Sequence, residues 1–372
     1  MNGRMERFWQ RVTDGMELSQ LWNQFRIEAR SSYRLYSHDV DSSRTPGTPK
    51  GKHFLNLGVQ FFWAIIEKLS PARRVLLLIA LVLLAFNGGI SWQNRHGQLK
   101  IFELDGAEWA ALVLLLLVIL EVADRVVMKR DLQIAKEIQE WLLPANPPVV
   151  PGLEIAFATR AANTVAGDYY DIFQRPSSLP DETFLIAVAD VAGKSIPAGL
   201  LMATFQASLK TLAGTSASLT ELVGRMNAYA CSNSQNGRRF TTTFIAEYHS
   251  ADRNLTFVNA GHNPPILRRI TGALERLNDG GIPIGILADA PYQSGTVTLQ
   301  SGDWLVIFTD GVPEAENAAG EEYGEARLLN ILYANSTMTP ALLLDTIMRD
   351  LDRFVGDAPQ HDDVTLVLLK AN

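Results

Sequence analysis

Residues 184–197 read Phe-Leu-Ile-Ala-Val-Ala-Asp-Val-Ala-Gly-Lys-Ser-Ile-Pro, and no other stretch constrains the fold as strongly. An apolar run of strand length ends in Asp190, a turn bearing Gly193 follows, and Pro197 opens a long apolar helical pattern. A carboxylate is thereby set at the lip of a buried sheet. An unpaired charge there is costly, so a cation or a basic ligand is implied.

The chain has 372 residues, enough for two or more domains. Its formal net charge is −7 with Lys and Arg dispersed, which leaves no basic footprint for nucleic acid. Cys231 is the only cysteine, so an intramolecular disulfide and a cysteine-based metal cluster are excluded. That usage fits a reducing compartment for the part of the chain that carries it.

Residues 1–70 read as a cytoplasmic helical segment. Trp9, Leu18, Leu21, Trp22, Phe25 and Ile27 suggest a short amphipathic helix, residues 42–51 a turn-rich linker, and residues 54–69 an aromatic-rich helix. No signal peptide is read, because no apolar core closely follows the N-terminal charges. Residues 75–92 and 109–122 are strongly apolar, and a transmembrane hairpin over residues 71–123 is the simplest account, with a buried hairpin in a soluble helical domain as the alternative. Lys68, Arg73 and Arg74 precede the first stretch and Arg125, Lys129 and Arg130 follow the second. The positive-inside rule then predicts an inner (cytoplasmic) membrane protein with its C-terminal domain in the cytoplasm.

Residues 124–148 form an expected linker or signalling helix. Val127, Ile134 and Trp141 recur at heptad distance with Ile138 on the same side, which fits a homodimeric coil, although Asp131 interrupts the seam. Pro144, Pro147 and Pro148 stop it. Across residues 149–372 the pattern becomes short apolar runs mixed with helices. Strands are expected at 153–158, 184–189, 242–248, 254–258, 265–269, 295–299, 304–308 and 364–369, and helices at 197–213, 218–230, 326–334 and 340–354. This arrangement predicts an α+β layered domain of antiparallel sheets.

Carboxylates sit where these strands begin or end. Asp168 and Asp171 lie in Val-Ala-Gly-Asp-Tyr-Tyr-Asp, Asp190 ends the opening strand, Asp310 follows Trp304-Leu-Val-Ile-Phe-Thr, and Asp362 with Asp363 leads into the last strand. Converging carboxylates repel unless cations neutralise them, and all-oxygen ligation suits Mg²⁺ or Mn²⁺ rather than zinc. Two such ions can activate a water and clamp a phosphoryl group, so phosphate ester hydrolysis is the expected reaction class. Taken singly, each Asp-Gly pair is also ordinary turn chemistry.

The ordered set of motifs over residues 131–370 resembles the metal-dependent serine/threonine phosphatases of the PPM superfamily, in the SpoIIE-like and RsbU-like bacterial branch. The motifs are Ala135-Lys-Glu-Ile-Gln-Glu-Trp-Leu-Leu-Pro144, Gly167-Asp-Tyr-Tyr-Asp171, the 190–203 turn and helix, Phe240-Thr-Thr-Thr-Phe244, Asn259-Ala-Gly-His-Asn-Pro-Pro265, Gly281-Ile-Pro-Ile-Gly285, Phe308-Thr-Asp-Gly-Val-Pro-Glu-Ala315 and His361-Asp-Asp-Val-Thr-Leu366. The resemblance implies an αββα sandwich of two antiparallel sheets flanked by helices, with a two-metal centre on one edge. It implies Asp168, Asp190, Asp310 and Asp362 as metal ligands with the backbone carbonyl of Val191, Asp363 being an alternative to Asp362. Asp190 and Asp310 would act in catalysis through metal-activated water. The implied substrate is phosphoserine or phosphothreonine on an anti-sigma-factor antagonist or similar signalling protein. A non-enzymatic partner-binding module of the same fold is the alternative, and a small-molecule phosphatase a third.

Two positions depart from the family pattern. Ala166 and Ser195 stand where the family usually has glycine, so the turn after Asp190 is expected to be narrowed, or Ser195 to cap the following helix. His262 reads as a turn residue, His361 as a solvated neighbour of the carboxylates, Lys194 as either a phosphate contact or a surface lysine, and Glu314 with Glu316 as an acidic loop.

Overall fold

The computed structural model describes residues 66–67, 69–85, 90–93, 100–104, 106–176, 183–233 and 239–372. The expected amphipathic helix, the linker at 42–51 and nearly all of the aromatic-rich helix lie outside these. The chain divides into two compact units, residues 1–126 and residues 127–372.

In the first unit, helix α1 (Pro71–Ala85) is followed by strands β1 (Ile90–Gln93) and β2 (Lys100–Leu104), which pair antiparallel where only a loop was expected. Helix α2 (Gly106–Leu142) begins here and continues past residue 126. The Arg73 guanidinium donates to Glu121 Oε2 at 3.0 Å, Asp124 Oδ2 at 2.6 Å and the Leu120 carbonyl at 3.0 Å, which fastens α1 to α2.

The transmembrane hairpin is overturned. Among the described residues no helix is long and apolar enough to cross a membrane. Helix α1 has 15 residues, or about 22 Å at the α-helical rise, against a hydrocarbon core of about 30 Å. In α2 the charge-free run from Trp109 ends at Leu120, before Glu121, Asp124 and Arg125. The inner-membrane location inferred from that hairpin and its basic flanks falls with it.

In the second unit, one sheet has the order β10-β7-β6-β5-β4 with β11 also on β7, and the other has the order β3-β13-β12-β8-β9. The strands are β3 (Leu153–Arg160), β4 (Tyr169–Gln174), β5 (Thr183–Val191), β6 (Thr241–His249), β7 (Asn254–Ala260), β8 (Ile266–Arg268), β9 (Leu274–Arg276), β10 (Gly280–Gly281), β11 (Gly295–Thr298), β12 (Trp304–Phe308) and β13 (Val364–Ala371). All pairings are antiparallel except the two-residue β10 against β7. Helices α3 (Ile196–Ala213) and α4 (Leu219–Ser232) cover the first sheet, and α5 (Glu325–Ala334) and α6 (Pro340–Val355) cover the second.

Strand β5 reads as an unbroken apolar run because both of its faces are buried. Ile186 and Val188 enter the core between the sheets with Phe244, Leu305, Ile307 and Val367. Leu185, Ala187, Ala189 and Val191 face Met202, Phe205, Leu222 and Met226 of α3 and α4. Strand β12 repeats this logic, with Leu305 and Ile307 inward and Trp304, Val306 and Phe308 against the α5 and α6 layer. Two sheets, each apolar on both faces and each backed by two helices, make the expected αββα sandwich.

Strand β4 was not expected, because its acidic and aromatic residues read as a motif rather than as a strand. It exists because Tyr169–Gln174 lies along β5, with Tyr170 and Ile172 in the inter-sheet core. Truncating Ile307, fully buried at the centre of that core, should cost about 2–5 kcal/mol as Ile307→Ala in equilibrium urea unfolding.

Candidate metal centre

The strand pairing brings the carboxylates to one edge. Tyr169 at the start of β4 pairs with Ala189 near the end of β5, which sets Asp168 beside Asp190. Phe308 at the end of β12 pairs with Leu366 near the start of β13, which sets Asp310 near Asp362 and Asp363. Each sheet thus contributes one strand end and one strand beginning.

Their electrostatics show that these groups sense one another. Burial raises Asp190 to about 7, with the charges of Asp310, Asp362 and Asp363 adding to the rise and Lys194 opposing it. Burial likewise raises Asp310, with Asp362 next in effect, and raises Asp168 well above the ordinary range, with Asp190 next. The hydroxyls of Thr365 and Thr309 oppose the shift at Asp168. Asp171 does not join the cluster: on β4 it accepts a hydrogen bond from the Tyr169 hydroxyl at 2.9 Å and an ion pair from Lys210 at 2.6 Å.

Hydrogen bonds hold the loops that carry the carboxylates. Thr309 Oγ1 donates to Asp168 Oδ2 at 2.9 Å while accepting from the Thr365 amide at 3.0 Å. Asp363 is nearly buried, and its two oxygens accept from the Ala162 amide at 2.7 Å and the Gly167 amide at 2.5 Å. Asp362 is half exposed: its Oδ1 accepts from the Asp363 amide at 2.9 Å, and its Oδ2 lies 3.1 Å from Lys194 Nζ. The doubled Asp therefore splits into one carboxylate spent on backbone and one facing outward.

Two glycines make the approach feasible. A Cβ on Gly311 would lie 2.0 Å from the Asp363 carbonyl oxygen, and one on Gly167 would lie 3.1 Å from the Val191 carbonyl oxygen. The Gln139 side chain, buried on α2, donates to the Ala166 carbonyl at 2.7 Å and accepts from its amide at 2.9 Å, pinning the loop before Asp168. Sequence reasoning missed Gln139, Thr309 and Thr365 as supports; the Gln-x-x-Leu-Leu-Pro motif was the one signal pointing to Gln139.

The donor set fits a hard divalent cation. It is all oxygen, neighbouring carboxylates add to the rise at Asp168, Asp190 and Asp310, and the loops bearing them pack backbone to backbone. Among the described residues, however, no three acidic, histidine or cysteine side chains group closely enough to hold one ion. Asp168 is turned to Thr309 and Asp362 to Lys194, so the expected convergence is of loops and charge rather than a closed cage.

Residues 180–372 match the family model described as Stage II sporulation protein E (SpoIIE), just over half of the chain. The chain belongs to the SpoIIE family, in the SpoIIE/RsbU branch of the PPM phosphatases. It is 28% identical over 247 residues to the phosphoserine phosphatase RsbU of Bacillus subtilis, covering 65% of this chain and 70% of that protein. It is 26% identical over 278 residues to protein IcfG of Synechocystis sp., covering 68% of this chain but only 43% of that protein. Among solved structures, the SiaA-PP2C domain of Pseudomonas aeruginosa superposes with a TM-score of 0.57 at 20% identity, covering 67% of this chain and 99% of that one. A PP2C phosphatase domain of SpoIIE from Bacillus subtilis does so with a TM-score of 0.50 at 17% identity, covering 59% and 63%. At these identities the solved structures establish the shared fold.

Ser195 stands where the family resemblance leads to an expectation of glycine. Its φ is 64° and ψ −145°, a conformation open mainly to glycine, and its side chain makes no capping hydrogen bond to α3. The expected helix cap is therefore absent and the turn is strained. His262 is buried, its amide donates to Asn259 Oδ1 at 2.8 Å, and its Nδ1 lies 3.2 Å from Thr242 Oγ1. Burial lowers its pKa to about 4, so it is neutral and structural at pH 7.

Relieving the backbone strain as Ser195→Gly should raise stability by about 1 kcal/mol, read from denaturant midpoints. A carboxylate whose folded pKa is raised loses stabilisation as pH rises from its unfolded value of 3.8 through about 7. In chelator-treated protein, Asp190→Asn should therefore raise the melting temperature more at pH 8 than at pH 5.

Proposed function

We propose that residues 149–372 form a metal-dependent protein phosphatase domain that hydrolyses phosphoserine or phosphothreonine. The observation that carries this reading is the delivery of Asp168, Asp190, Asp310 and Asp362 from both sheets to one edge, where burial and neighbouring carboxylates raise Asp168, Asp190 and Asp310. Asp168, Asp190, Asp310, Asp362 and the Val191 carbonyl would hold Mn²⁺ or Mg²⁺, two ions in all. Asp363 acts instead as a clamp, because both of its oxygens are engaged by backbone amides. Bound cations at such a centre lower the pKa of a water and offset charge on the phosphoryl oxygens.

The chain's own residues set the geometry around that chemistry. Thr309 orients Asp168, and Asp363 ties the Gly167 turn to the start of β13. A cleft of about 510 Å³ lies beside the centre, lined among others by Arg160, Lys194, Gly311, His361 and Asp362. Glu314, Glu316, Glu322 and Asp352 also line it, and it would receive the phosphorylated segment once cations offset that charge.

The substrate we propose is an anti-sigma-factor antagonist or similar partner-switching protein, in keeping with relatives named as the phosphoserine phosphatases RsbU and RsbP. Residues 124–148 would serve as the input helix. Val127, Ile134, Ile138 and Trp141 are all exposed on it, Trp141 to 81%, and would pair with a second copy of the chain.

The full chain, assayed with Mn²⁺ on a phosphoserine protein, should release phosphate, lose activity to chelator and regain it on adding Mn²⁺. Asp190→Asn and Asp310→Asn should each lower kcat about a hundredfold or more. Calorimetric Mn²⁺ binding without hydrolysis of any phosphoprotein would instead favour a partner-binding module.

A further inference from the structure

Lys194 is the residue of the β5–α3 turn that the proposed mechanism leaves without a defined task. It lies between Gly193, at φ 122°, and the strained Ser195, at φ 64°. Its ammonium is 3.1 Å from Asp362 Oδ2 and donates to the His361 carbonyl at 2.5 Å. That carbonyl and that carboxylate belong to adjacent residues at the entry to β13, so a single cationic group is held by two oxygens of the same loop. The same charge also acts on Asp190 and Asp310, and it is the cationic side chain among the leading influences on both.

We propose that Lys194 is a tethered counter-ion of this edge: its ammonium holds Asp362 when no divalent ion is bound and must give way for Asp362 to serve as a ligand. Lys194 thereby sets how tightly the centre takes up its ion. This rests on the reading that Asp362 and Asp310 are ligands.

Three considerations support it. First, a carboxylate oxygen in contact with an ammonium group has its negative charge already offset, so a divalent ion must compete for it. Second, the pair is half exposed, with the Lys194 and Asp362 side chains 56% and 44% accessible. Breaking such a pair costs little, since exposed ion pairs contribute at most about 1 kcal/mol. Third, the lysine stem is flexible and its point charge needs no fixed fork geometry, so the ammonium can leave Asp362 without the turn refolding. The half-exposed pair thus suits exchange better than a permanent structural bridge would.

The test is calorimetric titration of the full chain with Mn²⁺ alone, for the natural sequence, Lys194→Gln and Asp310→Asn. Removing the competing ammonium should tighten Mn²⁺ binding about three- to fivefold in Lys194→Gln. The same variant should gain a larger rise in melting temperature on saturation with Mn²⁺. Unchanged or weaker Mn²⁺ binding in Lys194→Gln would overturn the proposal, because a phosphate-contacting or merely structural lysine predicts no gain. Asp310→Asn separates the two readings: if it leaves Mn²⁺ binding intact, the ligand assignment itself is wrong. If it abolishes binding while Lys194→Gln leaves it unimproved, only the counter-ion role fails.

Discussion

Mutual repulsion among carboxylates at one edge of the sandwich is the constraint on which the rest of the domain depends. Asp168, Asp190, Asp310 and Asp362 are each partly or wholly withdrawn from water, and burial raises the pKa of the first three with their neighbours' charges adding to it. Nothing in a folding chain favours such a cluster for its own sake. It persists because the surrounding sandwich is over-determined: β5 and β12 are apolar on both faces, and three apolar layers lock them in place. Hydrogen bonds from Thr309 to Asp168 and from two backbone amides to Asp363 then fix the loops.

The same economy explains the small residues around the edge. Gly311 lets the β12 end pass against the Asp363 carbonyl, and Gly167 does the same beside Val191. Ser195 breaks that rule, carrying a side chain in a glycine conformation without a side-chain hydrogen bond to α3 in return. Strain of this kind survives where neighbouring structure dictates the backbone, and here Val191 before the turn and Met202 and Phe205 of α3 after it are buried in the same cluster. The turn after Asp190 thus concentrates backbone strain, a counter-ion in Lys194 and a raised carboxylate within six residues of sequence.

Hydropathy alone misled the reading of the N-terminal region. Leucine-rich runs at 75–92 and 109–122 look like spans because hydropathy registers neither where a helix ends nor which charges pair. The first run breaks into helix α1 and strand β1, and Glu121 near the end of the second and Asp124 just beyond it pair with Arg73. Charges that looked like membrane flanks are in part an ion-pair network between two helices.

Apolar runs of strand length, the Pro-opened helices and the Asp-ended strands were legible in the sequence, because each is a local pattern: hydropathy, helix-start and turn chemistry act over a few residues. They sufficed for an α+β layered domain of antiparallel sheets and for most strand positions, while the αββα sandwich was what the family resemblance implied. What only the tertiary structure decided depends on which strands lie side by side. Strand β4 forms because β5 offers it a register, Gln139 reaches Ala166 across 27 positions of sequence, and Thr309 finds Asp168 across 141. The opening carboxylate is the clearest case. Asp190 announced itself as a charge needing a cation, but that its neighbours are Asp310 and Asp362, and that Lys194 already stands against the latter, follows from pairing between strands far apart in the chain, on which local preference has no hold.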